Sequence, residues 1–460
     1  MLTVEKIGGT SMSKFHDVLK NIIIGNRSDF DLYNRVFVVS AYAEVTNWLL
    51  EHKKTGEPGI YEMFIKHDDF NKGLQNVLNK LLDINKTFED IHLNLTQAEN
   101  FITNRILQAK YYLNSLADVL ATGYVSKTNI LLAAREILAS IGEAHSAWCT
   151  VNILENNGIN ATLVDLCGFN DSEFLTIDER IKKSFKNIDY SKTIPIATGY
   201  TKGTEGIMRE FDRGYSEVTF SKIAIELKAD EAVIHKEFHL SSADPKIVGI
   251  KKSIPVGQTN YNVADQLADI GMEAIHPKAS KPLERANINI RIKNAFEPEH
   301  PGTIISKDYI GEKSKAEIIS GTDRVAAIEV HDPSMVGEVG FDLQIMEIFR
   351  RHNVSYILKS TNANSITQVV WLKDLKDELI NELKEKFQEI TAKEVALICV
   401  LGTNIAQPGI LAKAAAALAK NNINIESFSQ SLKQVNMQFV IPRDQYKKGI
   451  IALNDALCVV

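Results

Sequence analysis

Short apolar runs alternate with long stretches of helical spacing over about the first 300 positions. That alternation predicts an α/β sheet with helices on both faces. Val36-Phe37-Val38-Val39 has the continuous apolar character of a buried parallel strand. Ile194-Pro195-Ile196-Ala197 and Ala232-Val233-Ile234 read the same way, with Pro195 marking either a strand start or a sheet edge. Each run gives way at once to small or polar residues, namely Ser40-Ala41, Thr198-Gly199 and His235-Lys236. Ligands of open α/β sheets gather beyond the carboxyl ends of strands, so these junctions are the expected places for chemistry. Residues 46–121 are largely helical in pattern and carry little motif content. Ile130, Ala134, Ile137, Leu138, Ile141 and Trp148 keep a helical period through Ser140-Ile141-Gly142-Glu143.

The last third of the chain repeats itself. Gly340-Phe341 returns as Gly409-Ile410 and Asn353-Val354 returns as Asn422-Ile423, both 69 residues later. Around each pair the order is an apolar strand (325–330; 395–400), a loop, a helix and a strand, followed by a further strand (365–371; 435–441). Asn353 and Asn422 fall where a helix C-terminus needs a residue tolerant of a left-handed backbone. Two such units predict paired small α/β modules. Residues 373–393, rich in Lys and Glu, read as the helix and linker between them. The expected division is a first domain over 1–310, its boundary near 306–318, one module over 318–392 and a second over 393–460. The last strand is free to return and complete the first module.

With 460 residues, 45% hydrophobic and 24% charged, the chain can bury a sizeable core and is long enough for roughly two or three domains. A net charge of -6 argues against nucleic acid as the main partner, since phosphate backbones need a basic footprint. Cys149, Cys167, Cys399 and Cys458 are widely separated with no CxxC pair, which favours reduced thiols over zinc or disulfides. No basic region followed by an apolar run opens the chain, and no stretch approaches the apolar length of a membrane span. The Ala-rich segment 410–419 is broken by Lys413. The expectation is a soluble cytoplasmic protein with neither membrane nor nucleic acid as partner.

Candidate chemistry starts at Lys6-Ile7-Gly8-Gly9-Thr10-Ser11, after a strand-like start. Paired glycines let backbone amides approach a phosphate, and Lys6 supplies a full positive charge for it. A plain Gly-Gly turn explains the pattern equally well, and Walker A spacing is absent. Ser40 and Thr46, in Val38-Val39-Ser40-Ala41 and Val45-Thr46-Asn47, offer hydroxyls to a substrate, although helix capping alone accounts for Ser40. Glu143 stands beside a glycine on an apolar helix, as a partly solvated residue or as the partner of a substrate ammonium. Residues 199–206 form a glycine-spaced loop of the kind that bends around phosphates. Arg213 suits a bidentate grip on a carboxylate and Glu217 the positioning of a metal or proton, with a surface ion pair as the plainer alternative for both. His235, His239 and His276 lack zinc-site spacing, so no dedicated protein-ligated metal is expected.

In their order and spacing these segments resemble the aspartate kinases, members of the amino-acid kinase fold family, over nearly the whole chain. The family's Lys-(Phe/Ile/Tyr)-Gly-Gly-Thr-Ser opening is matched by residues 6–11, its Val-Val-Ser-Ala…Val-Thr-Asn by 38–41 and 45–47, and its Ser-x-Gly-Glu by 140–143. Its Arg-Gly-Gly-Ser-Asp element is altered here to Arg213-Gly214-Tyr215-Ser216-Glu217. Asp244-Pro245 and His276-Pro277 fall where the family places Asp-Pro and His-Pro. The C-terminal repeat is similar to tandem ACT modules, which bind regulatory amino acids and pair subunits.

The resemblance implies a three-layer αβα amino-acid kinase fold with a mainly parallel sheet, followed by two ferredoxin-like ACT modules. It implies ATP-dependent phosphorylation of the β-carboxylate of L-aspartate to 4-phospho-L-aspartate, with ATP and Mg2+, in a homodimer or higher homo-oligomer carrying an amino-acid effector site. Lys6 and the Gly8 and Gly9 amides would stabilise the transferring phosphoryl group, with Arg213 and Glu217 as further catalytic residues. Ser40, Thr46, Glu143 and Arg213 would hold aspartate, Glu143 by its ammonium and Arg213 by its α-carboxylate. Lys6, Gly9, Ser11, Lys236 and Glu237 would meet the nucleotide. Magnesium would arrive with ATP and keep phosphate and water ligands.

Several positions depart from the family pattern. Glu217 replaces an aspartate, Lys236-Glu237 replaces Thr-Asp, and Glu273 reverses the charge of a lysine. Ile357 and Asn362-Ala363 stand where lysine-binding members carry acidic and Ser-Glu positions, which implies weak or absent inhibition by lysine. These departures, in runs 211–220, 234–245, 271–277 and 291–300, resemble the aspartokinases associated with ectoine biosynthesis. Two alternatives stay open. A glutamate or acetylglutamate kinase is disfavoured by the ACT pair and by the opening motif. A catalytically weak amino-acid-sensing subunit is suggested by Glu273 and the altered 213–217 element, and opposed by the presence of Lys6, Glu143 and Arg213.

Overall fold

The computed structural model describes residues 1–52, 55–211, 214–272 and 274–459. Arg213 and Glu273, both weighed above, lie outside the described residues. The chain forms two compact units, one of Met1–His239 with His276–Gly302 and one of Leu240–Ile275 with Thr303–Val460. Apolar periodicity does not reveal that the segment Leu240–Ile275 packs with the C-terminal strands.

The first unit is built on β1 (Thr3–Ile7), β2 (Arg35–Val39), β3 (Ala161–Val164), β4 (Ile194–Thr198) and β5 (Glu231–Lys236). After β6 (Gln258–Asn260), which belongs to the second unit, β7 (Asn289–Asn294) completes it. These strands run in the order β3-β4-β2-β1-β5-β7, every pair parallel. All five residues of β2 are buried, as a strand covered on both faces requires. Pro195 is the second residue of β4, an interior strand, so it marks a start and not an edge. β5 runs on through His235 and Lys236, beyond its apolar run, because buried Glu5 on β1 gives His235 a partner. Helices Val45–Leu49, Ile60–Lys66, Phe70–Lys86 and Leu95–Thr122 fill the stretch of helical pattern after β2. The helix Lys127–Asn156 is buried continuously from Leu138 to Ala147, because it lies beneath β3 and β4 instead of on a surface.

Glu5, Arg35 and His235 form a charged cluster inside this unit. Arg35 grips Glu5 with two nitrogens, at 2.6 and 3.1 Å, and donates to the carbonyls of Ile22 and Ile23 at 2.8 Å. His235 Nε2 lies 2.7 Å from the second Glu5 oxygen. Burial pushes the Glu5 carboxyl upward, but Arg35 and His235 outweigh it and hold it well below its ordinary 4.5. Because the folded value is depressed, this stabilisation is present above about 4.5 and is lost as pH falls through the folded value. Arg35→Met therefore leaves the buried carboxylate with His235 alone and should cost about 3–5 kcal/mol near neutrality. Urea unfolding at neutral and at acidic pH checks this: the deficit must shrink as Glu5 protonates, and a deficit independent of pH counts against the charge argument.

The second unit holds the parallel pair β6 and β8 (Thr303–Ser306). Its main sheet uses β9 (Ile318–His331), β10 (Tyr356–Thr361), β11 (Ser365–Trp371), β12 (Glu389–Leu401), β13 (Ser427–Gln430) and β14 (Asn436–Pro442). These form an antiparallel sheet in the order β10-β11-β9-β12-β14-β13, three strands from each copy of the repeat. Gly340 and Gly409 cap helices Phe341–Arg351 and Ile410–Lys420 with φ of 98° and 95°, and Asn353 and Asn422 both have φ of 54°. The repeat thus conserves the special backbone positions of both helices. The expected linker 373–393 needs correction at its end: the helix is Asp377–Lys386, and residues from Glu389 onward are strand, paired with β9. Gly321 allows that central pairing, since a Cβ there would stand 2.1 Å from the Leu397 carbonyl oxygen. Among the described residues no helix is long and apolar enough to cross a membrane.

Candidate active site

β1 ends at Lys6-Ile7, and the chain turns through Gly8 into the four-residue helix Gly9–Met12. Gly8 caps this helix with extended backbone, φ -73° and ψ 158°, so it is not required for a left-handed turn. Gly9 is there for space. A Cβ on it would lie 2.8 Å from the Ala41 carbonyl oxygen, where the chain leaving β2 passes close by. Ser11 is buried and donates to Glu237 Oε1 at 3.0 Å.

Beyond β2, Ser40 does not cap a helix: the next one starts at Val45 and has Glu44, with φ of 67°, in the capping position. Ser40 instead places its hydroxyl 3.5 Å from that of Ser216, and its carbonyl accepts from Ser146 Oγ at 2.9 Å. Gly9, Ser40, Thr46 and Glu143 line a cavity of 370 Å³ together with Thr10, Asn47, Tyr215 and Ser216. Four residues singled out by sequence thus converge, Ser40 from just beyond β2 and Gly9, Thr46 and Glu143 from three helices.

Glu143 is 2% exposed, so a partly solvated role is excluded. One carboxylate oxygen accepts from the Tyr215 hydroxyl at 2.7 Å, and the other is buried with no hydrogen-bond partner among the described residues. Burial lifts this carboxyl to about 7, against the opposing pull of the Tyr215 hydrogen bond, the nearby Glu143 and Ala41 backbone amides and the Lys6 charge. A buried acceptor left open on a polar cavity is a place for a donor from outside the chain.

Lys6 and Glu217 do not line this cavity; their charged ends are 3.4 Å apart and both are largely buried. Glu217 also accepts from the His276 amide at 2.6 Å. Burial would raise its carboxyl, but Lys6, Lys236 and that amide bring it below its ordinary value, so it stays ionised. Glu217 is therefore a held countercharge to Lys6 and not a surface partner. His276 caps helix Pro277–Arg285, which explains the imidazole without a metal. The loop 199–206 does not line the cavity, and Lys202 is tied to the carbonyls of Gly168 and Asp171. Gly8, Ser11, Lys236 and Glu237 also stand outside the lining. Tyr215 escaped the sequence reading as a site residue. Its signal was present as the bulky residue at a glycine position of the 213–217 element.

The amino acid kinase family pattern matches residues 1–294, and an ACT domain matches residues 398–457. The fold and site define an enzyme of the amino acid kinase family, with the expected mainly parallel sheet and a C-terminal ACT region. The chain is 46% identical to aspartate kinase Ask_Ect of Stutzerimonas stutzeri (strain A1501), over 99% of its own length and 97% of that relative. It belongs to the aspartate kinase family, and its subtype resemblance to the ectoine-associated members agrees with that relative's designation. Aspartate kinase from Clostridium acetobutylicum shares the fold, with a TM-score of 0.71 and 21% identity across 99% of both chains. E. coli aspartokinase III in complex with aspartate and ADP does so at a TM-score of 0.66 and 20% identity, again across 99% of both.

Proposed function

We propose that this chain transfers the γ-phosphoryl group of ATP to the β-carboxylate of L-aspartate, giving 4-phospho-L-aspartate and ADP. The observation that carries this reading is the open buried oxygen of Glu143 on a cavity lined by hydroxyls and backbone. That oxygen takes the substrate ammonium, and Ser40 and Thr46 offer hydroxyls to its carboxylates. Arg213 is assigned the α-carboxylate.

The β-carboxylate is ionised at about pH 7, so no general base is needed. It attacks phosphorus in line; the new O–P bond forms as the β–γ bridging bond breaks and ADP leaves with the electron pair. Catalysis is then positioning and charge neutralisation. Lys6 neutralises the phosphates, held by Glu217, and the Gly8 and Gly9 amides approach them. Lys236, Glu237 and Ser11 are assigned to the nucleotide. Glu217 and Glu237 are already engaged by Lys6, the His276 amide and Ser11, which fits a magnesium ion held by phosphate and water. Its contribution when bound is shielding of the phosphate charge. The division at 1–310, 318–392 and 393–460, an amino-acid effector at the ACT modules, a homodimer or higher homo-oligomer and a cytoplasmic setting belong to the same proposal.

The test is turnover with magnesium, ATP and aspartate, trapping the acyl phosphate with hydroxylamine. Aspartyl hydroxamate should form, with little signal from glutamate. Preference for glutamate would move the assignment to another amino-acid kinase. No turnover with either, alongside thermal stabilisation by an amino acid, would make the chain a sensor.

A further inference from the structure

A second cavity, of 520 Å³, lies within the first unit on another surface of the same strands. Glu5 on β1, Val233 on β5 and Arg291 on β7 are in register, as are Ile7, His235 and Lys293. Side chains alternate across a strand, so Glu5, His235, Arg291 and Lys293 share one face while Lys6 and Lys236 point to the other. The cavity opens on the first of these faces.

Its charges do not balance. Glu5 is committed to Arg35 and His235, and Glu231 is gripped by Arg291 through two bonds of 2.8 Å. Lys20, Arg27 and Lys293 remain, facing Glu299, which accepts from the Asn26 amide at 3.1 Å. Among the described residues, the hydrogen bonds of Arg27 and Lys293 go to backbone carbonyls, those of Ile22 at 3.1 Å and Pro298 at 2.9 Å. Neither has a carboxylate within ion-pair distance among the described residues. Burial and then the Arg27 charge lower the Lys293 ammonium, with Glu5 and Glu299 opposing. Burial and then Arg35 lower Arg27, with Glu5 and Asp31 opposing. Cations crowded together in a ligand-sized hollow favour an anion that joins them.

We propose that this cavity is a second small-molecule site, which takes a compact dianion between Arg27 and Lys293 on the sheet face opposite Lys6. The shared chemistry is two negative charges on a small frame, supplied by a phosphate group or by a dicarboxylate. The site is independent of the phosphoryl-transfer reading, because none of these residues belongs to that machinery.

The experiment is calorimetric titration of the full chain with inorganic phosphate at constant ionic strength, repeated with malonate as competitor. Saturable binding in about the millimolar range is expected, weakened at least about tenfold by Arg27→Gln and by Lys293→Met and unchanged by Lys6→Ala. The two variants are made singly, so that if one does not fold the other supplies the reading. Displacement of phosphate by malonate assigns the site to dicarboxylates, and failure to displace assigns it to phosphates. The proposal is overturned if neither anion saturates, if Arg27→Gln and Lys293→Met bind as the unmodified chain does, or if binding disappears in Lys6→Ala.

Discussion

Glu143→Gln is expected to lower kcat/KM for aspartate by about 100- to 1,000-fold, the cost of removing one partner of a buried charge pair. The same substitution should stabilise the ligand-free protein. The Glu143 carboxyl is raised from 4.5 to about 7, so the native state holds its proton more tightly than the unfolded chain does. Stability from this group therefore falls as pH rises from 4.5 to about 7, and the cost is complete above that. Glutamine carries no such cost, so the variant should gain on the order of 3 kcal/mol above this window and nothing below it. In the unmodified chain the KM for aspartate should fall as pH rises through about 7, because the ammonium needs the ionised carboxylate. The variant should lose that dependence. Paired melting curves and pH profiles check both halves, and a variant that binds aspartate normally removes Glu143 from the substrate.

Lys6→Ala should lower kcat by about a thousandfold or more, since a cation on the transferring phosphoryl group acts where charge develops. The loss has a structural component as well. Lys6 is the leading countercharge of Glu217, and its removal leaves that buried carboxylate to Lys236 and the His276 amide. The single variant should consequently be less stable at neutral pH than in acid. Adding Glu217→Gln separates the two effects, because it should restore stability and leave turnover low. A double variant that regains activity would show that Lys6 acts only by balancing Glu217.

Much of this architecture was legible from local pattern. Val36 to Val39 had to be a buried strand, because nothing in the run tolerates water on either face. Gly340, Gly409, Asn353 and Asn422 announced two helices of the same design, since a positive φ restricts the residue type within a single turn. Lys6, Ser40, Thr46 and Glu143 were visible as polar residues at strand ends or beside glycine.

Their states were not visible. A helical period says which residues face inward, but not whether the inner side is core or cavity, so Glu143 stood between a partly solvated residue and a substrate partner, and only the fold shows it buried with an oxygen open among the described residues. Capping was the plainer alternative for Ser40 because the strand ends there, yet the helix starts five residues later. Glu217 stood between an acid that positions a metal or proton and a surface ion pair, and only the fold brings it across 211 positions to Lys6. Likewise, Arg27 and Lys293 are unremarkable charges until parallel pairing sets β7 beside β5 and gathers them around one hollow. Sequence alone determined the elements, the repeat and the kind of chemistry, because those follow from neighbours within a turn or a strand. Protonation, pairing and the second cavity belong to the tertiary structure, because desolvation and Coulomb energy depend on distances that the chain order does not set.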